Sequence, residues 1–257
     1  ETREYTCDGK TKTVYRAGHG PAIVVMHEIP GLTPAVIKFA THLVDQGFSV
    51  YCPDLFGTPG KGYGPLNTGR QIARACISRE FHVLARRHSS PITIWLRALC
   101  RAVSEESGGA GIGAVGMCLT GNFALALMVD ECVMAPVLAQ PSLPFPISPS
   151  HKRALHLSDQ DLAAVKRRTA DGAKVLGLRF TRDPLCPPQR FAHLREELGE
   201  GFEAIEIPSG RDANDGTSFR AHSVTAFDFV DEEGHPTLAA RQRIVGFFRE
   251  HLTDAPK

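Results

Sequence analysis

The chain has 257 residues, 42% hydrophobic and 22% charged, which excludes global disorder and leaves roughly 70–75% of the extended chain's surface to be buried on folding. Its 29 basic and 28 acidic residues nearly cancel, so the summed field is too weak to draw in a polyanion and nucleic acid is not an expected partner. No charged-then-apolar leader opens the sequence and no apolar run approaches 18 residues, so neither a signal peptide nor a membrane span is expected.

Short apolar runs alternate with longer amphipathic stretches, the pattern of βαβ units around a mostly parallel sheet. In chain order the spacing predicts a strand over 22–28 (AIVVMHE), a helix over 34–47 ending at Gly47, and a strand over 48–54. A helix over 90–109 follows, with Ser90-Pro91 as its cap and first turn, and then strands over 112–118 and 133–140. The sequence continues with a helix over 158–172, capped by Ser158 with Asp161 completing a box-like start, strands over 173–180 and 203–207, and a closing helix over 237–252. Right-handed crossovers confine such a string to a doubly wound α/β sheet flanked by helices. No composition break or repeat marks a second domain, so 1–257 is expected to be one unit with its core over about 20–252. Two stretches, 55–68 and 141–157, are dense in Gly, Pro or Ser and read as long loops, the usual material of lids and pocket walls. The basic clusters Arg86-Arg87-His88 and Lys166-Arg167-Arg168 fall in segments that read as helical and are expected to be solvated faces.

The segment GAVGMCLTGNFALAL (113–127) runs an apolar strand into Gly116-Met117-Cys118-Leu119-Thr120-Gly121 and then into an apolar helix. A nucleophile elbow has this arrangement: small residues relieve crowding at a sharp strand-to-helix turn, and the reactive atom sits over a helix N-terminus. Amide N–H groups and the helix dipole in that setting favour a thiolate over a thiol. The N–H of Leu119 would point at a developing oxyanion. The plainer alternative is an ordinary buried cysteine. The other six of the seven cysteines lack this setting and include no CxxC pair or zinc spacing. Cys52, Cys76, Cys100 and Cys132 are expected in core packing.

An elbow nucleophile needs an acid and then a histidine at later strand ends. Asp183 stands just past the 173–180 strand and before Pro184, and His222 lies between the last strand and the closing helix, giving the order 118, 183, 222. Each has a competitor: Asp183 can simply start a turn before proline, and His235, between Gly234 and Pro236, suits the start of the closing helix. His19, His42, His82, His88, His151, His156, His193 and His251 have no place in this order and are expected at the surface. The segment VVMHEIPGLTP (24–34) supplies a strand ending in His27-Glu28, followed by a Pro-Gly turn. The N–H of Ile29 is the candidate second oxyanion donor. A zinc reading of His27-Glu28 fails for want of the second histidine of HExxH.

At these residues the sequence resembles the dienelactone hydrolase family, cysteine-dependent members of the α/β-hydrolase fold, over about residues 20–250. HEIPGL is similar to the family's Glu-containing oxyanion turn, YCPDLFG to its next strand and loop, and GMCLTG to its cysteine elbow. The resemblance implies attack of the Cys118 thiolate on a lactone or ester carbonyl, proton transfer by His222, orientation of that ring by Asp183, and an acyl-enzyme or enolate resolved by water. It also implies that Glu28 contacts the resting cysteine and takes its proton when substrate binds. The sequence departs from the family in two places. Thr120 replaces the usual elbow glycine, and Ala226 stands where the dienelactone enzymes carry a carboxylate-binding arginine, four residues beyond the histidine. Arg79 is a substitute cation, against the plainer reading of an exposed helical arginine.

The expected partner is a small-molecule ester or lactone, with no cofactor, no metal, no membrane contact, a monomeric or small homo-oligomeric state and a reduced, cytoplasmic setting. Two other functions fit the same pattern. One is a non-catalytic protein that binds a small ligand or senses oxidants through its thiol. The other is an acyltransferase, since an alcohol competes with water for the same acyl-enzyme.

Overall fold

The computed structural model describes residues 1–77, 80–81, 84–109 and 111–253. Arg79, His82 and the side chain of Cys76 lie outside the described residues. In chain order the elements are β1 (Thr2–Cys7), β2 (Lys10–Ala17), β3 (Ala22–Met26), α1 (Pro34–Asp45), β4 (Ser49–Pro53), α2 (Pro65–Ile77), α3 (Ile92–Glu106) and β5 (Ile112–Met117). They continue with α4 (Gly121–Leu127), β6 (Val133–Ala139), α5 (Pro149–Arg153), α6 (Asp159–Ala170), β7 (Val175–Phe180), α7 (Pro188–Leu198), β8 (Phe202–Ile207) and α8 (Pro236–Leu252). The strands form one eight-stranded sheet in the order β1-β2-β4-β3-β5-β6-β7-β8. β1, β2 and β4 pair antiparallel, and every pairing from β4 through β3 to β8 is parallel.

The sheet is covered on both faces, as the pattern predicts. Val36, Phe39 and Leu43 of α1 pack with Ile244, Phe247 and Phe248 of α8 on one side. Trp95 and Leu99 of α3, Phe123 of α4, Val165 of α6 and Phe191 of α7 fill the other. β3, β4, β5 and β7 are buried along their whole length, which is why they read as unbroken apolar runs rather than as alternation.

Several expectations about local structure are corrected. The sheet begins twenty residues earlier than expected, with the hairpin β1–β2 turning on Asp8 and Gly9, both at positive φ (49° and 69°). Asp-Gly is the residue pair such a turn requires, but the strands carry Lys, Arg, Thr and Glu on half-exposed faces, so no apolar alternation announces them. The two irregular stretches are partly helical: α2 begins at Pro65 and α5 occupies Pro149–Arg153, capped by Ser148. Arg86 and Arg87 form a bend and His88 lies in irregular structure, none of them in a helix. Arg168 is not simply solvated, because its guanidinium donates to the carbonyls of Met128, Asp130 and Val133 and closes the turn between α4 and β6.

Ser90 does not cap α3, which starts after Pro91 without a side-chain cap. Its hydroxyl instead donates to the Phe81 carbonyl and meets His156 Nε2 at 2.7 Å. His156 is thus buried rather than on the surface, with Nδ1 3.1 Å from the Ala85 carbonyl oxygen. Ser158 does cap α6, accepting from the Asp161 N–H at 3.1 Å. His235 caps α8 by accepting from the Thr237 N–H.

Candidate active site

The parallel strands all end at one edge of the sheet, where ligands bind in open α/β folds. Five segments meet there. Glu28 follows β3, Cys118 follows β5, Gln140 and Ser142 follow β6, Asp183 follows β7, and His222 lies on the long loop after β8.

Cys118 sits at a tight turn with φ of +53°, a left-handed conformation that non-glycine residues rarely adopt. The flanking glycines are sterically required. A β-carbon on Gly116 would lie 2.1 Å from the Thr120 carbonyl oxygen, and one on Gly121 would lie 2.4 Å from Pro141 Cα. The turn itself, Cys118–Thr120, is 3₁₀, and α4 begins only at Gly121. Thr120, in place of the family's glycine, is fully buried. Its hydroxyl accepts from the Met117 N–H and donates to the Met26 carbonyl, both at 2.9 Å. The threonine therefore ties the elbow to the end of β3.

His222 Nδ1 lies 2.6 Å from Asp183 Oδ2, and the other oxygen of Asp183 accepts from the Leu185 N–H at 2.8 Å. Asp183 is 2% exposed, so it is more than a turn-starting residue: its carboxylate is withdrawn from water against the imidazole. Asp228, which the sequence did not single out, accepts from the N–H groups of His222 and Ser223, each at 2.8 Å, and fixes the loop that carries the ring. Burial alone would depress the basicity of His222. The charge of Cys118 and the hydrogen bond and charge of Asp183 overcome it and hold the imidazole well above its ordinary pKa of 6.5. Because the folded value exceeds the unfolded one, the protonated ring contributes stability that is complete below pH 6.5 and fades as pH rises through the folded value. NMR titration is expected to find His222 protonated through neutral pH, and Cys118→Ser to move its midpoint down. A ring that titrates at or below 6.5 in the unaltered protein contradicts this coupling.

Glu28 shares the cavity with Cys118, but its carboxylate is partnered by other groups. Oε1 accepts from the Ser223 hydroxyl at 2.6 Å and Oε2 from Gln140 Nε2 at 3.2 Å. Beside Cys118, the Ser142 hydroxyl lies 3.6 Å from Sγ. Burial raises the pKa of Glu28 against the opposing effect of these hydrogen bonds. Its neighbour His27 is a structural residue. Nδ1 donates to the Glu28 carbonyl at 3.1 Å and Nε2 accepts from the Leu55 N–H at 3.0 Å, while burial lowers its pKa to about 4, so the ring stays neutral.

Cys118, His222, Glu28 and Ile29 open into a cavity of about 500 Å³. Both stretches expected to form pocket walls contribute, through Tyr63 and Phe145. The rings of Tyr63 and Phe227, which both line the cavity, stack on each other with centroids 4.4 Å apart. Ala226 is buried in the apolar layer under α8 and offers no charge, whereas Arg220, two residues before the histidine, lines the cavity. The residues that sequence reasoning missed are Gln140 and Ser142, which follow the end of β6 and which the strand-end rule could have flagged, and Ser223 and Asp228, which follow His222 on its loop. Among the described residues, no group of three or more His, Cys, Asp or Glu side chains is arranged to hold a metal. None of the described helices is long and apolar enough to cross a membrane.

Comparison with solved structures finds the same architecture at low identity. A Klebsiella pneumoniae protein described as a dienelactone hydrolase superposes with a TM-score of 0.64 over 98% of this chain and 99% of its own, at 16% identity. A cold-adapted esterase from an Arctic intertidal metagenomic library gives 0.60 over 98% and 93%, at 15% identity. These likenesses are of fold: the doubly wound sheet has the α/β-hydrolase fold. In sequence, the carboxymethylenebutenolidase of Pseudomonas sp. (strain P51) is 28% identical over 116 residues, which is 44% of this chain and 46% of that enzyme. The model of the dienelactone hydrolase family matches residues 9–197, well over half of the chain and all of the elbow. The chain belongs to the dienelactone hydrolase family.

Proposed function

We propose that this protein hydrolyses a small carboxylic ester or lactone, with Cys118 as nucleophile, His222 as its proton-transfer partner and Asp183 as the group that orients the ring. The observation that carries the reading is the His222 imidazole, braced at 2.6 Å by a buried carboxylate, at the wall of the cavity that Cys118 also lines.

The sulfur, its proton passed to His222, attacks the carbonyl carbon, and the C–S bond forms as the carbonyl oxygen takes the negative charge. The N–H groups of Leu119 and Ile29 are assigned as donors to that oxygen. The C–O bond then breaks, and the leaving oxygen takes the proton from His222. In a lactone, this group stays attached to the acyl chain. Water attacks the thioester as His222 removes its proton, the C–S bond breaks, and the acid departs. The family resemblance gives Glu28 the thiol proton when substrate binds, and its carboxylate, which accepts from Ser223 and Gln140, keeps further lone pairs for it; in the reading proposed here His222 is the base. The six described cysteines are free, which suits a reducing compartment such as the cytoplasm.

Incubation with p-nitrophenyl acetate is expected to release p-nitrophenol and, after acid quenching, to leave an acetyl group on the peptide containing Cys118. Steady release that survives alkylation of Cys118 would rule this reading out.

A further inference from the structure

We propose that the Ser142 hydroxyl is a third member of the reacting group, a hydrogen-bond donor that stabilises the Cys118 thiolate beside the His222 imidazolium. The proposal rests on the assignment of Cys118 as nucleophile and extends it to a residue outside the Cys-His-Asp set. Ser142 is completely buried, and its N–H donates to the carbonyl of Cys118 itself at 2.9 Å, so loop and elbow move as one. From that anchor its hydroxyl oxygen lies 3.6 Å from Cys118 Sγ, 3.4 Å from His222 Nε2 and 3.1 Å from the Gln140 carbonyl oxygen.

A serine hydroxyl has one proton and two acceptor lone pairs. When the sulfur carries its negative charge, the hydroxyl proton is best directed to it, because hydrogen bonds to charged groups are about twice as strong as neutral ones. A lone pair then remains for the Nε2–H of the imidazolium. Once the sulfur is acylated it is neutral and a poor acceptor, and the same proton turns to the Gln140 carbonyl. The hydroxyl thus stabilises the charged nucleophile selectively, both before attack and when the thiolate is expelled from the second tetrahedral intermediate.

The charged and titratable groups around it are consistent with this role. His222 is braced by Asp183, Asp228 is engaged by main-chain N–H groups, and Glu28 accepts from Ser223 and Gln140. Ser142 is the hydroxyl among them that reaches the sulfur.

The test is the rate of iodoacetamide alkylation at Cys118, read by peptide mass from acidic to mildly alkaline pH. Ser142→Ala keeps the backbone bond to Cys118 and is expected to alkylate about tenfold more slowly below neutrality, converging with the unaltered protein at alkaline pH. The acid limb of kcat/KM for p-nitrophenyl acetate should move in the same direction, with the melting temperature unchanged. Superimposable pH profiles would overturn the proposal, since a serine that merely anchors the loop at Gln140 would not move them. Full hydrolysis by Cys118→Ala would instead overturn the assignment on which it rests, and the two failures are distinguishable.

Discussion

Cys118→Ala is expected to lower hydrolysis of p-nitrophenyl acetate by about a thousandfold or more, since removing the nucleophile from a triad leaves only binding and oxyanion stabilisation. The protein should still fold. Alanine has the same β-carbon and so tolerates, at the same cost, the φ of +53° at position 118, a conformation that costs a residue with a side chain about 1–2 kcal/mol. This predicts a contrast between two inactive variants. Cys118→Gly removes the sulfur and the strain together, so it should lose activity equally and melt no lower than Cys118→Ala. The strain is then attributable to aiming the sulfur, a cost the elbow bears for function. Cys118→Ala that retains activity within tenfold of the unaltered protein, in a preparation free of contaminating esterase, would leave the fold and family intact and remove the mechanism.

How much of this was legible in the sequence varies with where the determining contacts lie. The elbow was legible because its demands are local: Gly116 and Gly121 sit two and three residues from Cys118, and each is forced by atoms of the same turn or of the loop packed on it. Asp183 and His222 were legible because strand ends in a parallel sheet fall on one edge and the order of partners is constrained. The N-terminal hairpin was not, since Tyr5, Val14 and Tyr15 are too few apolar residues among Lys, Arg, Glu and Thr to mark a face. Nor could sequence show that Ser142 faces a sulfur 24 positions earlier, or that Ser223 and Gln140 capture Glu28 from 195 and 112 positions away. Those pairings follow from how four strand-end loops converge. His156 misled for a related reason: nothing adjacent to it in sequence signals that Ser90, 66 residues away, meets its ring.

Arg190→Ala is expected to be the most destabilising single change outside the hydrophobic layers. Arg190 is fully buried, and its guanidinium donates to the carbonyls of Pro141, Pro144, Ala154 and His151 at 2.6–3.0 Å. Burial lowers its pKa to about 10, which still leaves it charged at neutral pH. One side chain of α7 therefore gathers the backbone of the loop that carries Ser142 and Phe145. Truncation leaves several carbonyls without a donor in a place water does not reach, and it should cost about 3–5 kcal/mol. For a chain of this size that is a fall in melting temperature of roughly 10 °C. Arg190→Lys, with a compact ammonium in place of the planar fork, should recover only part of it. In both variants limited proteolysis should cut first between residues 141 and 157, and kcat/KM should fall further than the loss of folded protein explains, because that loop positions a wall of the cavity and the hydroxyl beside the sulfur. If Arg190→Ala melts within about 2 °C of the unaltered protein, the loop is held by its own packing and the guanidinium is dispensable.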